Sequence, residues 1–487
     1  MNRPPRPTQS RGYTLMELMV AIGITVMLMV LVQQLFRETT RAVNVGVQTS
    51  QILTQAEAIS TQIKRDADLM LGPSQSESKP AGYLVIVNRR IEHERDENEN
   101  IVGPLHIRSR RSALVEYDHN DVPRGYRADQ IIFIAGEPDQ TRHPPFRSLT
   151  PKSPYTLGSD IEARFARVWL GHAVQAANPE DEPRLGQRGT RNEWPNDWVL
   201  ARHALLLTQD GTGAFDLDVD PDIIHSPREA GARWYDFSHE VENSNLPAGP
   251  HYRQLIRSLT DVADTTREQL IGDIEDGEDN GGHYLALARA TAVPPSHFRV
   301  FVNQIPDLDE FASWQIAQMH PVLSGHVSDF IVEFAGDYRE DQPRRIDRDD
   351  NGNVIWYSHF DNRHDNGGDL TRPHVWGVDE AASELPFDPD RQPLAPGAQT
   401  PVDDENEWYY WKINDDTAVF VWRHDDVGAS DSDEPSMWPH MIRIRYRLQD
   451  PRGDVRGTVQ YIDEDGEQAS VDEPGQWFEQ IIAVPRP

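Results

Sequence analysis

An apolar run with one carboxylate at its start constrains this chain more than any other feature. Residues from Leu18 to Val32 carry no charge, and Glu17 stands immediately before them. As a helix, the segment from Tyr13 to Phe36 would extend about 36 Å, enough to cross a hydrocarbon core of roughly 30 Å. A charge in the middle of such a helix costs roughly 2.5 to 3.5 kcal/mol. The position of Glu17 at the edge of the run therefore indicates a partner cation.

A new amino terminus at Tyr13 would supply that cation. If the chain were cut after Gly12, the ammonium group of Tyr13 would lie at the same end of the helix as Glu17, in its own subunit and in any neighbour. The run from Arg11 to Glu17 resembles the class III signal of type IV prepilins and type II secretion pseudopilins. In that family a membrane peptidase cuts after the glycine and N-methylates the following aromatic residue, and glutamate is the fifth residue of the mature chain. The resemblance implies processing at Gly12 and Tyr13 and an assembly role for Glu17.

Two other interpretations of the apolar run stay open. An ordinary secretory signal would share the basic residues before Gly12, but it needs a small-x-small cleavage site, and none follows Val32. A plain signal anchor fits the length of the run but does not require Glu17 or the Gly-Tyr junction. In either the anchored or the processed form, the arginines before Gly12 keep the leader in the cytoplasm. We therefore expect a single-pass inner-membrane protein with a periplasmic head.

The sequence divides into four parts on this interpretation. We expect a leader over residues 1–12, a transmembrane helix over 13–36, an amphipathic continuation of that helix over 37–71 and a head over 72–487. The continuation contains no proline, and the Gly72-Pro73 pair is a stop signal. Its apolar residues mostly recur every three or four positions, which predicts one buried stripe, with an outer half that can also face sister helices. The stripe comprises Val43, Val47, Ile52, Ala56, Ile59, Ile63, Ala67 and Met70.

Beyond Pro73, short runs of β-branched and aromatic residues predict strands. The expected fold class is α+β: a long N-terminal α-helix packed on an antiparallel β-rich head with large loop insertions. The insertions are predicted at Asp139–Pro154, Asn178–Asn196, Asp236–Gly282 and Asp337–Asn414. The strand runs are Tyr83–Val87, Ile131–Ile134, Phe165–Leu170, Val199–Leu207, Phe330–Phe334, Val419–Trp422, Met441–Leu448 and Trp477–Val484.

The run Met441–Leu448 alternates most regularly. Its apolar residues alternate with Arg443, Arg445 and Arg447, which predicts one buried face and one basic face. We expect the basic face to pair with carboxylates of the same chain; a docking edge for a partner is the alternative.

Composition excludes several function classes. Lys and Arg number 47 against 80 Asp and Glu, which gives a formal net charge of −33. A field of this sign repels nucleic-acid phosphates, so we expect no nucleic-acid partner. The 487 residues include no cysteine, which excludes thiol catalysis, disulfides and zinc-thiolate sites.

No enzyme motif stands out in the sequence. The chain contains no His-Glu-x-x-His, Gly-x-Ser-x-Gly or Gly-x-x-x-x-Gly-Lys pattern. The scattered histidines His320, His326, His359 and His364 are interpreted as surface or packing residues. We therefore expect a protein that is not an enzyme and requires no cofactor.

Calcium is the one metal that the sequence suggests. Asp347, Asp349 and Asn351, followed by Gly352, match the opening of a calcium loop, but Ser358 stands where a bidentate glutamate belongs. An Asn-Gly hairpin turn explains the same residues. The sequence thus leaves open a Ca²⁺ site at Asp347, Asp349 and Asn351.

Within the pilin family the chain looks most like the large minor subunits, minor pilin W and pseudopilin J. The resemblance covers roughly the first sixty residues, and the membrane span has no proline, unlike that of most major pilins. It implies a minor subunit that initiates or caps a filament tip in a secretion or pilus system. Its partners would be other minor and major subunits, the prepilin peptidase and the inner-membrane assembly platform. The alternatives are a membrane-anchored envelope binding protein or hydrolase, and a pilus-borne adhesin.

Processing of the leader gives the first testable prediction. In cells with an active prepilin peptidase, the membrane-extracted protein should begin at N-methylated Tyr13, because Gly12 precedes the predicted cut. Amino-terminal sequencing and intact mass measure this directly. An intact Met1, or a start beyond Phe36, would contradict the prediction and favour an anchored or secreted protein.

Overall fold

In the computed structural model, the described residues include one long helix and two main sheets. They are residues 14–73, 82–96, 98, 100–108, 113–115, 123, 125–137, 139, 141–147, 162–176, 184–207, 262–263, 299–301, 322–336, 346–348, 352, 354–358, 409–414, 416–422, 438–449, 455–462 and 468–485.

Within the described ranges, the elements follow one another as one N-terminal α-helix and then strands, with one short 3₁₀ helix. This order agrees with the expected α+β class. The elements are α1 (Leu15–Asp68), β1 (Leu84–Ile91), β2 (His93–Arg95), β3 (Ile101–Pro104), β4 (Ile107–Arg108), β5 (Ala113–Leu114), β6 (Tyr126–Arg127), β7 (Gln130–Gly136), β8 (Phe146–Arg147), β9 (Glu162–Ala163), β10 (Phe165–Ala176), η1 (Pro195–Asp197), β11 (Val199–Leu207), β12 (Val262–Ala263), β13 (Arg299–Phe301), β14 (Val322–Gly325), β15 (Val327–Ala335), β16 (Tyr409–Asn414), β17 (Thr417–Trp422), β18 (Met441–Leu448), β19 (Arg456–Ile462), β20 (Gln468–Pro474) and β21 (Gln476–Ala483).

Two sheets dominate the described part of the chain. The larger has ten strands, ordered β12-β11-β10-β7-β1-β17-β16, with β13, β14 and β6 paired to its sides. Its pairs are antiparallel except β11 with β12 and β10 with β13. The smaller sheet is antiparallel and has the order β15-β18-β21. All eight predicted strand runs are confirmed, and β11 and β18 have the predicted bounds.

Helix α1 contains 54 residues and runs through two compact units, Met1–Leu53 and Thr54–Pro487. In the first unit, every residue from Leu15 to Phe36 is exposed. An 18-residue window of α1 has a mean hydropathy of 2.5, and the helix is long and apolar enough to cross a membrane. Val43 and Val47, the first two members of the predicted stripe, are also exposed.

Within the second unit, the end of α1 packs on the three-stranded sheet. Ile59 and Ile63 are 0% and 1% exposed. The Tyr446 hydroxyl on β18 donates a hydrogen bond of 3.0 Å to the carbonyl oxygen of Ala56. The predicted packing of the stripe on the protein's own sheet is therefore confirmed for this part of the helix.

The same end of α1 is tied to the ten-stranded sheet by a charge-assisted pair. Arg202 on β11 donates from Nε to Oδ2 of Asp66 at 2.6 Å and from Nη2 to Oδ1 at 2.7 Å. Asp66 is buried. Two parallel hydrogen bonds fix the orientation as well as the distance of the two groups.

The prediction that the helix continues to Leu71 is wrong, because α1 ends at Asp68. The amide of Leu71 donates to the carbonyl oxygen of Ile134 at 2.9 Å, and the amide of Gly136 donates to Leu69 at 2.7 Å. The end of β7 thus provides strand hydrogen bonds that compete with the last helical turn. The helix stops before the Gly-Pro signal is reached.

Aromatic side chains join the two sheets. Phe334 on β15 lies edge-on to Phe420 and Trp422 on β17, with ring centroids 4.9 and 4.8 Å apart. All three side chains are buried. The core of the second unit therefore lies between β15 on one sheet and the β1–β17 region of the other.

Truncation of the buried part of α1 should destabilise the second unit. We expect Ile63→Ala to lower the free energy of unfolding by about 2 to 5 kcal/mol, since it removes a buried side chain and leaves a cavity. Val47→Ala is the matched control and should change it by less than about 0.5 kcal/mol, because Val47 is 54% exposed. Denaturant unfolding of the full chain in non-ionic detergent measures both. Equal effects of the two substitutions would contradict the packing described above.

Candidate functional site

The carboxylate of Glu17 caps the start of α1. The backbone amide of Thr14 donates to Glu17 Oε2 at 2.8 Å, and the hydroxyl of Thr14 donates to the same oxygen at 3.1 Å. In return, the amide of Glu17 donates to Thr14 Oγ1 at 3.3 Å. This reciprocal arrangement is a capping box, which satisfies amides that the first helical turn leaves without partners. The negative charge also lies at the positive end of the helix dipole.

The pattern Thr-x-x-Glu in the sequence predicts this capping box, although the apolar run alone does not indicate it. It gives Glu17 a structural role within its own chain, in addition to the predicted assembly role. Gly12 and Tyr13 lie outside the described residues, so their processing stays a prediction.

The basic residues of β18 pair with carboxylates of the same chain, as predicted. Arg443 donates from Nε to Glu333 Oε2 at 2.7 Å, and Arg445 donates from Nη2 to Glu333 Oε1 at 2.8 Å. Arg447 donates from Nε to Asp329 Oδ2 at 2.9 Å. Both carboxylates lie on the neighbouring strand β15. The docking alternative is therefore unnecessary for these three arginines.

The basic face of β18 is not exposed, contrary to the prediction. The alternation predicted one buried face, but every residue of β18 after Met441 is buried. The ring of Trp356 covers the guanidinium of Arg443 at 4.5 Å, and the ring of Tyr126 lies 5.5 Å from that of Arg447. Aromatic faces attract cations, and they also exclude water here. The paired charges form a buried seam and are not an open site.

Glu333 is held in its ionised form. Burial alone would raise the pKa of its carboxyl, but the charges of Arg443 and Arg445 outweigh burial and lower the pKa to about 2. The side chain is 0% exposed. The pair of arginines and the single carboxylate therefore stabilise one another, and removal of either partner would leave a buried charge.

The predicted calcium residues are only partly described. Asp347 is buried, and its Oδ2 accepts a hydrogen bond of 2.6 Å from the Tyr357 hydroxyl. An antiparallel bridge joins Arg348 to Val354, as the hairpin interpretation requires. Asp349 and Asn351 lie outside the described residues. Over the part of the chain that is described, no group of three or more histidines and carboxylates could hold a metal ion, and calcium stays a prediction.

A partly exposed cluster around Trp194 was missed by the sequence analysis. We call it the tryptophan patch, and it comprises Glu94, His106, Arg108, Trp194, Asp197 and His326. Arg108 connects its members: Nη1 lies 3.1 Å from Asp197 Oδ2, and the guanidinium carbon lies 5.7 Å from the Trp194 ring centroid. The His106 ring meets Trp194 edge-on, with centroids 6.3 Å apart.

Both histidines of the tryptophan patch are oriented through Nδ1. His326 Nδ1 lies 2.8 Å from the carbonyl oxygen of Asn196, and His106 Nδ1 lies 2.7 Å from Glu94 Oε1. Because a carbonyl or carboxylate oxygen can only accept, Nδ1 carries the proton in each ring, and Nε2 is the remaining polar atom. His326 has a φ of 62°, a left-handed conformation that is unusual for a residue other than glycine.

The described part of one predicted insertion builds this patch. Within Asn178–Asn196, Asn192 and Asn196 are completely buried. Asn196 Oδ1 accepts from the Arg108 amide at 3.0 Å, and its Nδ2 donates to the Arg108 carbonyl at 3.0 Å. These contacts span 88 residues of sequence, and no local motif indicates them. The patch can offer an aromatic ring, a guanidinium and two imidazoles to a ligand, so the binding-protein alternative stays open.

The histidines His320, His359 and His364 lie outside the described residues. Most of the insertions Asp236–Gly282 and Asp337–Asn414 also lie outside them. Comparison of the chain with family models, with curated proteins and with solved structures found no match.

Acid should weaken the fold through Glu333. A carboxylate whose pKa is lowered from 4.5 to about 2 stabilises the folded state fully above pH 4.5. That contribution, about 3 kcal/mol by linkage, is lost as the pH falls from 4.5 towards 2. We expect Glu333→Gln to lower the free energy of unfolding at pH 7 by about 3 to 5 kcal/mol and to flatten its decline over that interval.

Glu479→Gln is the matched control for this measurement. Glu479 is 41% exposed and lies 4.0 Å from Arg443 Nη1, so its loss should cost less than about 1 kcal/mol. Denaturant unfolding from pH 7 to pH 3 compares the two variants with the wild type. An unchanged pH dependence in Glu333→Gln would show that Glu333 does not carry the acid sensitivity.

Proposed function

We propose that this chain is a minor subunit of a pilin-like filament, of the type II secretion or type IV pilus kind, and that it initiates or caps the filament tip. The observation that carries the proposal is the division of α1 into an exposed apolar part and a buried part. Residues from Leu15 to Phe36 are exposed, whereas Ile59 and Ile63 are buried in the second unit. Exposed apolar surface on this scale is unfavourable in water and requires lipid or other helices.

The start of α1 supports the same proposal. The Glu17 carboxylate accepts hydrogen bonds only from Thr14 among the contacts described for it. Both are exposed groups of the chain's own first turn, so a stronger donor can displace them. An ammonium group at the amino terminus of a neighbouring subunit is such a donor, because a charge-assisted hydrogen bond is stronger than a neutral one. Assembly would then exchange a local cap for an intersubunit ion pair.

The size and charge of the head support placement at the tip. Residues 72–487 would follow the helix in every subunit, and the chain has a formal net charge of −33. Repeated along a filament, acidic heads of this size would repel one another and compete for space. The tip holds only one copy, so its head has no identical neighbours to repel or to compete with for space.

Substitution of Glu17 tests the proposal. Glu17→Gln should still be cut by the peptidase but should fail to enter filaments, because glutamine can maintain a capping box and carries no charge. Glu17→Ala should also be cut and excluded. Immunoblots of sheared filaments and of membranes, with cleavage read from electrophoretic mobility, give the incorporated fraction.

Thr14→Val is the matched control, since it removes the capping hydroxyl and leaves the Glu17 charge in place. It should enter filaments as the wild type does. Normal incorporation of Glu17→Gln would contradict the proposed intersubunit ion pair. Exclusion of Thr14→Val from filaments would show that loss of the capping box is enough to prevent incorporation.

A further inference from the structure

The side chain of Arg167 is a completely buried cation on β10. It is 0% exposed, and its Nε, Nη1 and Nη2 atoms have no hydrogen-bond acceptor among the residues that the structure describes. A guanidinium stays protonated in proteins and carries five N–H donors. A buried charge without a partner is among the most costly arrangements in a fold, so such a group indicates a ligand or ion that satisfies it.

Asp66 on α1 lies on the opposite side of the ten-stranded sheet from Arg167. Arg202, which binds Asp66 on α1, is paired in register with Leu170 on β10. Side chains alternate between the two faces of a strand, so Leu170 faces α1 and Arg167 faces away from it. Asp66 is therefore separated from Arg167 by the backbone of the ten-stranded sheet.

The described neighbours of Arg167 on its own face of the sheet carry no negative charge. In register, Arg167 lies opposite Ile134 on β7, and Trp169 follows it on the same face of β10. The Trp169 indole donates its N–H to Gln130. His203 lies opposite Trp169, and burial, with the charges of Arg167 and Arg202, lowers the pKa of His203 to about 3. The imidazole is therefore neutral at pH 7.

Tyr83 adds a second buried donor beside Arg167. Leu84 is paired with Phe133, and Phe133 is paired with Val168. Tyr83 and Arg167 directly precede Leu84 and Val168, so alternation places both side chains on the opposite face of the sheet. The Tyr83 hydroxyl is buried and has no hydrogen-bond partner in the described residues. Burial raises the pKa of Tyr83 to about 12, although the Arg167 charge acts in the opposite direction. The hydroxyl is thus protonated and able to donate.

We propose that a small monovalent anion, of the size of chloride or formate, binds between the guanidinium of Arg167 and the hydroxyl of Tyr83. One negative charge neutralises one guanidinium, and the anion accepts hydrogen bonds from both groups. The anion is small because Arg167 and Tyr83 are 0% and 1% exposed. The site is a built-in part of the second unit and does not depend on the filament role.

Thermal unfolding in different anions tests the site. The full chain in non-ionic detergent is compared in sodium chloride, sodium formate and sodium gluconate at equal ionic strength, with tryptophan fluorescence as the signal. Gluconate is too large for an enclosed site. We expect Tm to rise saturably by about 3 °C or more in chloride or formate relative to gluconate, because an anion that binds only the folded state stabilises it.

Variants separate this site from general salt effects. Arg167→Met should abolish the difference between anions, Arg167→Lys should keep it, and Tyr83→Phe should weaken the apparent affinity several-fold. Arg202→Met is the control: it removes another guanidinium of the same sheet, one with a carboxylate partner, and should lower Tm without changing the response to anions.

Two outcomes would overturn the proposal. The first is a wild-type Tm that is the same in chloride, formate and gluconate. The second is an anion response that persists undiminished in Arg167→Met, or, if that variant does not fold, in Tyr83→Phe.

Discussion

The fold of the second unit depends on the attachment of one helical segment to two sheets at once. Asp66 binds Arg202 on the ten-stranded sheet, and the Ala56 carbonyl accepts from Tyr446 on the three-stranded sheet. Between these two points, Ile59 and Ile63 are almost completely buried. The eleven helical residues from Ala56 to Asp66 therefore define the common surface against which strands from distant parts of the sequence assemble. The buried seam of Glu333 and its arginines lies on the opposite face of the smaller sheet and holds β15 to β18.

Several features of this fold were predictable because their signals are local. The apolar run of α1, the eight β-rich runs and the alternation of Arg443 with Ile442 and Ile444 each depend on neighbours within a few residues. Pairing of the β18 arginines within the chain was also predicted, on the basis of an acidic composition. The end of α1 was not, because the competing hydrogen bonds come from Ile134 and Gly136, more than sixty residues away.

Neither the tryptophan patch nor the Arg167 site could be predicted from the sequence, and the reason is the same for both. Each brings together residues from strands and loops that are far apart in the chain. His326 and Asn196 meet across 130 residues, and Tyr83 and Arg167 share a face of the sheet only through the register of β1, β7 and β10. A lone arginine in an apolar strand is a weak signal in the sequence. Its role depends on which face of the sheet it occupies and on whether that face carries a carboxylate that could pair with it.

The way α1 ends determines how the second unit would bear a load. Leu69 and Leu71, just beyond the helix, exchange backbone hydrogen bonds with the end of β7, which is flanked on both sides by β10 and β1. A pull along the helix would enter the ten-stranded sheet at an interior strand, and it would be resisted by rows of hydrogen bonds on both flanks together. Tension applied at an edge strand could instead peel the sheet open one bond at a time.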